Sequence, residues 1–331
     1  MKLRSLLVTP LCLLAAGLFA NAQAQISFQG KEGPGKGKKI VLLAGDEEYR
    51  SEELLPMLAK ILSERHGFDT TVVFSINPTT GEVDPNTKDN NPGLEVLKKA
   101  DLCIMLLRFR AWPDDQMKHF ADYAASGKPI IGLRTSTHAF NGLKGEYAAY
   151  NTFGKRILGE QWVSHWGKHK SEATKGVIEP GQEGNALLRG VTNIFGDTDV
   201  YEAYPPADAN ILVRGQVLAG MTPESAPADY AKKRSSDKAE QGVNAPMMPV
   251  VWTREVLNPS GKTSKIVTTT MGSSSDFKNE DLRRLIINGA YWTTGLEVPA
   301  KADVNFVGEF KGSFYGFNGF VKGLKPEDLA K

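Results

Sequence analysis

Four short apolar runs constrain this chain more than any other feature. They are Lys39–Ala44, Thr70–Phe74, Leu102–Leu107 and Pro129–Leu133, and each gives way abruptly to polar residues. Runs of this length, apolar without a break, mark strands buried on both faces. Between them lie segments with helical character. One opens at Ser51-Glu-Glu53 and runs to about His66, where Gly67 suits the left-handed residue after a helix. Ser51 is the expected cap, with acids in the first turn to match the helix dipole. A loop over 77–93 precedes a short helix over Leu94–Lys99, and a third helix spans Pro113–Ser126, ended by Gly127. Strand and helix alternating in this way predict an α/β fold, with a parallel sheet and helices on both of its faces.

In such a sheet, ligands bind in the crevice beyond the carboxyl ends of the strands. Three of those ends are chemically rich. The first carries Asp46, Glu47, Glu48, Tyr49 and Arg50. The third carries Arg108, Arg110 and Trp112. The fourth carries Arg134, Thr135, Ser136, Thr137 and His138 directly after the strand. A cation, three hydroxyls and an imidazole without a spacer read as a site, although Ser and Thr also cap helices there. Acids after the first strand facing arginines after the third and fourth also form ion networks, which is the bland alternative. No Gly-x-Gly-x-x-Gly follows the first strand and there is no Walker loop, so no nucleotide cofactor is expected.

The second half is less regular. Gln161–His169 contains His165, Trp166 and His169, and two histidines four apart can share a helical face and a metal. Gly167 and the aromatics argue against a helix, and no carboxylate completes the set locally, so no metal is expected. Ile211–Val213 and Gln216–Leu218 read as a β-hairpin, and residues 221–246 as an exposed loop. Pro249–Arg254 and Ser264–Thr270 read as paired strands, followed by a helix over Asn279–Thr293. The tail over 297–331 is rich in Phe and Gly without periodicity and reads as an extended strap.

The start of the chain carries an address. Met1-Lys-Leu-Arg4 is basic, Leu6–Ala20 is apolar, and Ala22-Gln-Ala24 is a small-x-small cleavage signal. Residues 1–24 therefore read as a signal peptide and residues 25–38, rich in Gly and Lys, as a flexible linker. A secreted or periplasmic protein is expected. Removing Lys2 and Arg4 takes the formal charge from +2 to zero, which gives no reason to expect nucleic acid or an anionic membrane as partner. Cys12 leaves with the signal, so Cys103, inside an apolar run, has no intramolecular disulfide partner and reads as a small hydrophobe.

The order of motifs resembles the ThuA-like (trehalose-utilisation) domain family. The residues that carry the resemblance are Lys39-Ile-Val-Leu-Leu43, Ile131-Gly-Leu-Arg-Thr135, the His165 segment, Gly190-Val-Thr192 before Asp199-Val-Tyr201, Pro249-Val-Val-Trp-Thr253, Met271-Gly272 and Asn288-Gly-Ala-Tyr-Trp292. The resemblance covers about residues 38–296, with a domain over 39–296. It implies a flavodoxin-like sheet similar to class I glutamine amidotransferases. Those enzymes place a nucleophilic Cys in Gly-x-Cys-x-Gly after the central strand. Here Arg134 stands at that position and Ser136 at the second Gly, and no His follows Met271-Gly272. A guanidinium cannot attack a carbonyl, so glutamine hydrolysis is not expected.

Two functions follow from this reading. The first is binding or processing of a small carbohydrate, such as a keto-sugar, by acid/base chemistry. Glu48, Arg134 and His138 would be the catalytic groups. Asp46, Glu47, Tyr49, Arg108, Arg110, Thr135, Ser136, His165, Trp166, Asp199 and Tyr201 would contact substrate, with Arg forks and aromatic platforms holding the sugar. Ser136 with His138 is a weaker nucleophile–base pair, since a spacing of two in a turn rarely aligns them. The second is a non-catalytic interaction module on the same scaffold. A homo-oligomer fits either.

Overall fold

The computed structural model describes residues 24–331. Of the signal peptide expected over residues 1–24, residues 1–23 lie outside the described residues. Ten strands form one mixed sheet. They are β1 (Gln25–Phe28), β2 (Lys39–Gly45), β3 (Asp69–Val73), β4 (Leu102–Leu107), β5 (Ile130–Leu133), β6 (Thr174–Ile178), β7 (Phe195–Gly196), β8 (Asn210–Val217), β9 (Met248–Leu257) and β10 (Thr263–Thr269). Their order across the sheet is β1-β3-β2-β4-β5-β10-β9-β8-β6-β7. The stretch β3-β2-β4-β5-β10 is parallel. Beyond β10 every pairing is antiparallel, as is β1 with β3.

The apolar runs form strands because both of their faces are covered. Ile40, Leu42, Ala44, Leu102, Ile104 and Leu106 face one core, which α1 (Ser51–His66) and α3 (Glu280–Thr293) complete. Val41, Leu43, Cys103, Met105 and Leu107 face the other, under α2 (Asp114–Ala125). Side chains alternate between faces with the period of two that a strand imposes. An unbroken apolar run thus serves two cores at once. Cys103 is fully buried in the second core, and burial pushes its thiol pKa up.

Several local expectations change. Residues 25–38 are not a flexible linker. Gln25–Phe28 pairs with β3 along the sheet edge, with Ile26 buried against the first core. The glycines that follow permit close approach. A Cβ at Gly30 would lie 2.0 Å from the Gly67 carbonyl oxygen, and Gly35 N–H donates to His66 O at 2.8 Å. The expected hairpin over 211–218 is the single strand β8. Gly215 is there for packing, since its Cβ would meet Val250 Cγ1 at 2.5 Å. The loop over 221–246 carries a two-stranded ribbon, Ala231–Lys233 with Glu240–Gly242. Ser51 does not cap α1. The cap position is Arg50, in a left-handed conformation at φ 59°, and Ser51 Oγ accepts from Asp46 N–H at 3.0 Å.

The start of α1 also buries charge. Arg50 Nη1 lies 3.5 Å from Glu52 Oε1, and both side chains are buried. Burial pushes the Glu52 carboxyl up to about 7, against the pull of Arg50. The folded chain therefore holds this proton more tightly than the unfolded chain does. Its contribution is fully present below about pH 4.5 and is lost as pH rises through about 7, a change on the order of 3 kcal/mol. Urea denaturation of the wild type and Glu52→Gln across this range should show the wild type losing stability relative to the variant. Parallel pH profiles would remove the assignment.

Candidate functional site

The carboxyl ends of the parallel strands meet at one edge, and the turn after β2 distributes its residues there one by one. Asp46 accepts from the N–H groups of Glu48 and Tyr49 and from the Thr135 hydroxyl, so it fixes the turn itself. Glu47 faces the end of β4. It pairs with Arg108, with Arg110 at 2.9 Å and with Lys88 at 3.2 Å. Arg110 is fully buried and also donates to Ser75 Oγ and to the carbonyls of Pro85, Thr87 and Arg108. Glu47, Arg108 and Arg110 thus form an ion network next to the site.

The turn after β5 is a single 3-10 turn, Arg134–His138, and it is buried throughout. Arg134 enters it at φ 36°, a left-handed backbone that costs strain in a residue with a side chain. Its guanidinium donates to Asp199 O at 3.0 Å, Thr270 O at 2.7 Å, Tyr49 Oη at 3.3 Å and Asp199 Oδ1 at 3.0 Å. The rings of Tyr49 and Tyr201 sandwich it at 4.5 and 4.0 Å. Arg134 is therefore a positioning residue and offers no surface to a ligand. Ser136 Oγ donates to Met105 O at 2.8 Å and so does not pair with His138. His138 packs between Phe109 and Trp162. Burial and the charges of Arg108 and Arg134 hold its pKa well below the usual imidazole range. Trp166 is fully buried, with its indole N–H on Val243 O at 2.8 Å.

The accessible chemistry lies on the other side of Tyr49. Ser164–His165 is a two-residue strand paired with Tyr201–Glu202, which sets His165 beside Tyr201. Lys232, from the two-stranded ribbon, fixes this segment by donating to His165 O at 2.6 Å and Trp166 O at 2.9 Å. His165 Nδ1 is 2.7 Å from Asp199 Oδ2, and His169 Nδ1 is 3.0 Å from Asp199 Oδ1. His169 Nε2 is 3.1 Å from Glu48 Oε1. The two imidazole side chains are 35% and 26% exposed, whereas Asp199 is buried. Hydrogen bonds to Asp199 and Glu48 push His169 up to about 9. Burial opposes ionisation of Glu48, but His169, Arg108 and Arg134 hold it below the usual carboxylate range. Asp199 is likewise driven down, by Arg134 and both histidines, despite its burial.

Aromatic rings wall the cluster. Trp162 lies 5.7 Å from His165 and 6.3 Å from Tyr201, between ring centroids. Tyr315, from the C-terminal tail, lies 5.5 Å from His169 and 5.1 Å from Tyr49. The tail is pinned there by Gly316 N–H on Glu48 O at 2.8 Å. Sequence reasoning pointed to Glu48, Tyr49, His165, Asp199 and Tyr201, and the structure brings these together. Among the other site residues, His169 was visible as the partner of His165. Trp162 and Tyr315 left no signal, because neither stands in a patterned segment. A cavity of about 520 Å³ lined by Lys39, Asp69 and Glu95 opens instead at the starts of β2 and β3. It has no imidazole and no convergent set of proton-transferring groups.

Removing the Arg134 guanidinium would leave the Thr270 and Asp199 carbonyls without this donor and the buried Asp199 carboxylate with only the partly exposed imidazoles as partners. Arg134→Ala is expected to lose about 3–5 kcal/mol. Arg134→Lys is expected to recover only part of this, because an ammonium cannot supply the planar set of donors. Urea denaturation at pH 7 measures both. A cost under about 1 kcal/mol for the alanine variant would mean that the guanidinium does not hold the edge together.

Comparison with known proteins agrees with this architecture. A ThuA-like protein from Parabacteroides merdae superposes with a TM-score of 0.52 at 13% identity, covering 85% of this chain and 98% of its own. A second from Bacteroides uniformis gives 0.47 at 13% identity, over 80% and 95% of the two chains. No curated protein matches the chain. The family profile described as ThuA, trehalose utilisation, matches residues 40–293. On the extent of that match, the chain belongs to the ThuA family.

Proposed function

We propose that this protein binds a carbohydrate at the Glu48–His165–His169–Asp199 edge and moves protons on it next to a carbonyl. The observation that carries the reading is the open imidazole–carboxylate cluster with aromatic rings around it. Rings give a sugar an apolar platform, and the polar cluster gives its hydroxyls partners. Glu48 is the proton-transferring group, ionised and backed by His169. Arg134 and His138, expected as catalytic, act by positioning Asp199 and Trp162. The family description points to sugar metabolism as a class. Glutamine hydrolysis has no nucleophile here, since Arg134 occupies the turn after the central strand. The basic and apolar stretch at Met1–Ala24 supports action outside the cytoplasm.

The test is a thermal-shift screen with sugars and keto-sugars, on the wild type and Trp162→Leu. A ligand at ~100 times its dissociation constant adds ~2.7 kcal/mol of stability, and the variant should lose that response. For a keto-sugar that binds, proton NMR in D2O should show exchange beside the carbonyl with the wild type and none with Glu48→Gln. If no sugar shifts either protein, the carbohydrate reading fails. The interaction-module reading then takes its place, favoured by Phe314 and Phe317, which stand half exposed on the tail.

A further inference from the structure

Two imidazoles and a carboxylate converge on a single point at this edge. His165, His169 and Asp199 each offer one donor atom, and the three atoms lie within 4.8 Å of one another. The donors come from separate segments, joined by the pairing of His165 with Tyr201. The carboxylate that the local sequence lacks arrives thirty residues after His169.

The surroundings have the form of an outer shell for a metal. A ligating histidine usually donates its second N–H to a carboxylate, which fixes the tautomer and aims the ring. His169 does this. Its Nδ1 faces the cluster, and its Nε2 faces Glu48 Oε1 at 3.1 Å. Ligating carboxylates are themselves held by hydrogen bonds. Arg134 Nη2 fixes Asp199 Oδ1 at 3.0 Å, and Arg134 is fully buried. The rings of His165 and His169 lie 4.4 Å apart, tilted by 43°. A cation between the two nitrogens and Asp199 would replace the hydrogen bonds these groups now share. The imidazoles are the exposed side of the set and Asp199 the buried side, so a bound ion would keep open positions toward solvent.

We propose that His165, His169 and Asp199 bind one divalent first-row transition-metal ion. Glu48 and Arg134 orient the ligands, and the open positions face the proposed sugar site. Two nitrogens and one oxygen suit Zn²⁺, Mn²⁺, Fe²⁺ or Co²⁺. Mg²⁺ and Ca²⁺ prefer an all-oxygen shell. Three protein ligands with free positions describe a reactive site rather than a structural one. A bound ion would polarise a carbonyl or hydroxyl oxygen of the ligand, and Glu48, on the far nitrogen of His169, would hold that ring in place. This deepens the reading of the same site, yet metal binding can be measured with no sugar present.

The full chain is stripped with EDTA and titrated by calorimetry with Zn²⁺, Mn²⁺, Co²⁺, Mg²⁺ and Ca²⁺. Visible absorption of the Co²⁺ form reports coordination. The expected result is one saturable site for the transition metals and none for Mg²⁺ or Ca²⁺. His165→Gln and His169→Gln should each weaken binding by about 100-fold or more, and Glu48→Gln by about 10-fold. Circular dichroism and thermal melts confirm that each variant is folded. No saturable site in the wild type overturns the proposal. So does a site that both histidine variants leave unchanged. A sugar response that persists in EDTA-treated protein lacking any metal site would leave the carbohydrate reading standing and remove this one. Metal binding without any sugar response would do the reverse.

Discussion

The Arg134 side chain lies between the rings of Tyr49 and Tyr201 with no contact to solvent, and it ties three parts of the chain together. One is the turn after β2, through Tyr49. Another is the end of β10, through the carbonyl of Thr270. The last is the Asp199 segment, through both its backbone and its side chain. Burying a guanidinium is costly unless its donors are met. Here both Nη groups are bonded, Nε has no partner, and the partners are spread across both halves of the protein. Together with the strand pairings through β10, this helps set the separation between the parallel half and the Asp199 segment. His165 and His169 depend on that separation, because Asp199 is the group they share.

The five residues from Asp46 to Arg50 show how a short turn sorts charge. Asp46 is spent on the turn's own N–H groups, and Glu47 on the arginines after β4. Glu48 is the acid that meets an imidazole, and Tyr49 covers Arg134. Arg50 takes the left-handed conformation that starts α1. Neighbouring acids thus serve unrelated ends. The ion network and the open cluster are adjacent in sequence and distinct in chemistry. The network is closed, with Arg110 fully buried, whereas the cluster keeps two rings in contact with water.

The parallel strands were legible in the sequence because burial on both faces leaves an unbroken apolar run, and few other structures do. The convergence of the β2, β4 and β5 ends followed from topology. What each residue does there was not legible. Arg134, Arg110, Glu48 and Glu47 are alike as letters, and their roles separate only through burial and partners that lie far away in the chain. The spacing of His165 and His169 was visible, but Asp199 joins them through a strand pairing two residues long, which leaves no periodic trace. The stretch over 25–38 was read as flexible from its glycines and lysines. Three of those glycines, Gly30, Gly33 and Gly35, instead allow the chain to lie against the end of α1, where any Cβ would clash. Composition reports the freedom of a residue, not whether its neighbours have used that freedom up.

The tail brings Tyr315 over Tyr49 and His169 and pins itself to the carbonyl of Glu48 through Gly316. The region matched to the family ends at residue 293, before any of this. The family match therefore stops short of a residue that packs against the cluster. Among the described residues, every strand of the large sheet and α1, α2 and α3 precede the Tyr315 ring in the chain. The final twentieth of the chain adds Tyr315 to one side of a cluster that stays open to water, so homology-guided trimming at the last helix would keep the scaffold and discard that ring.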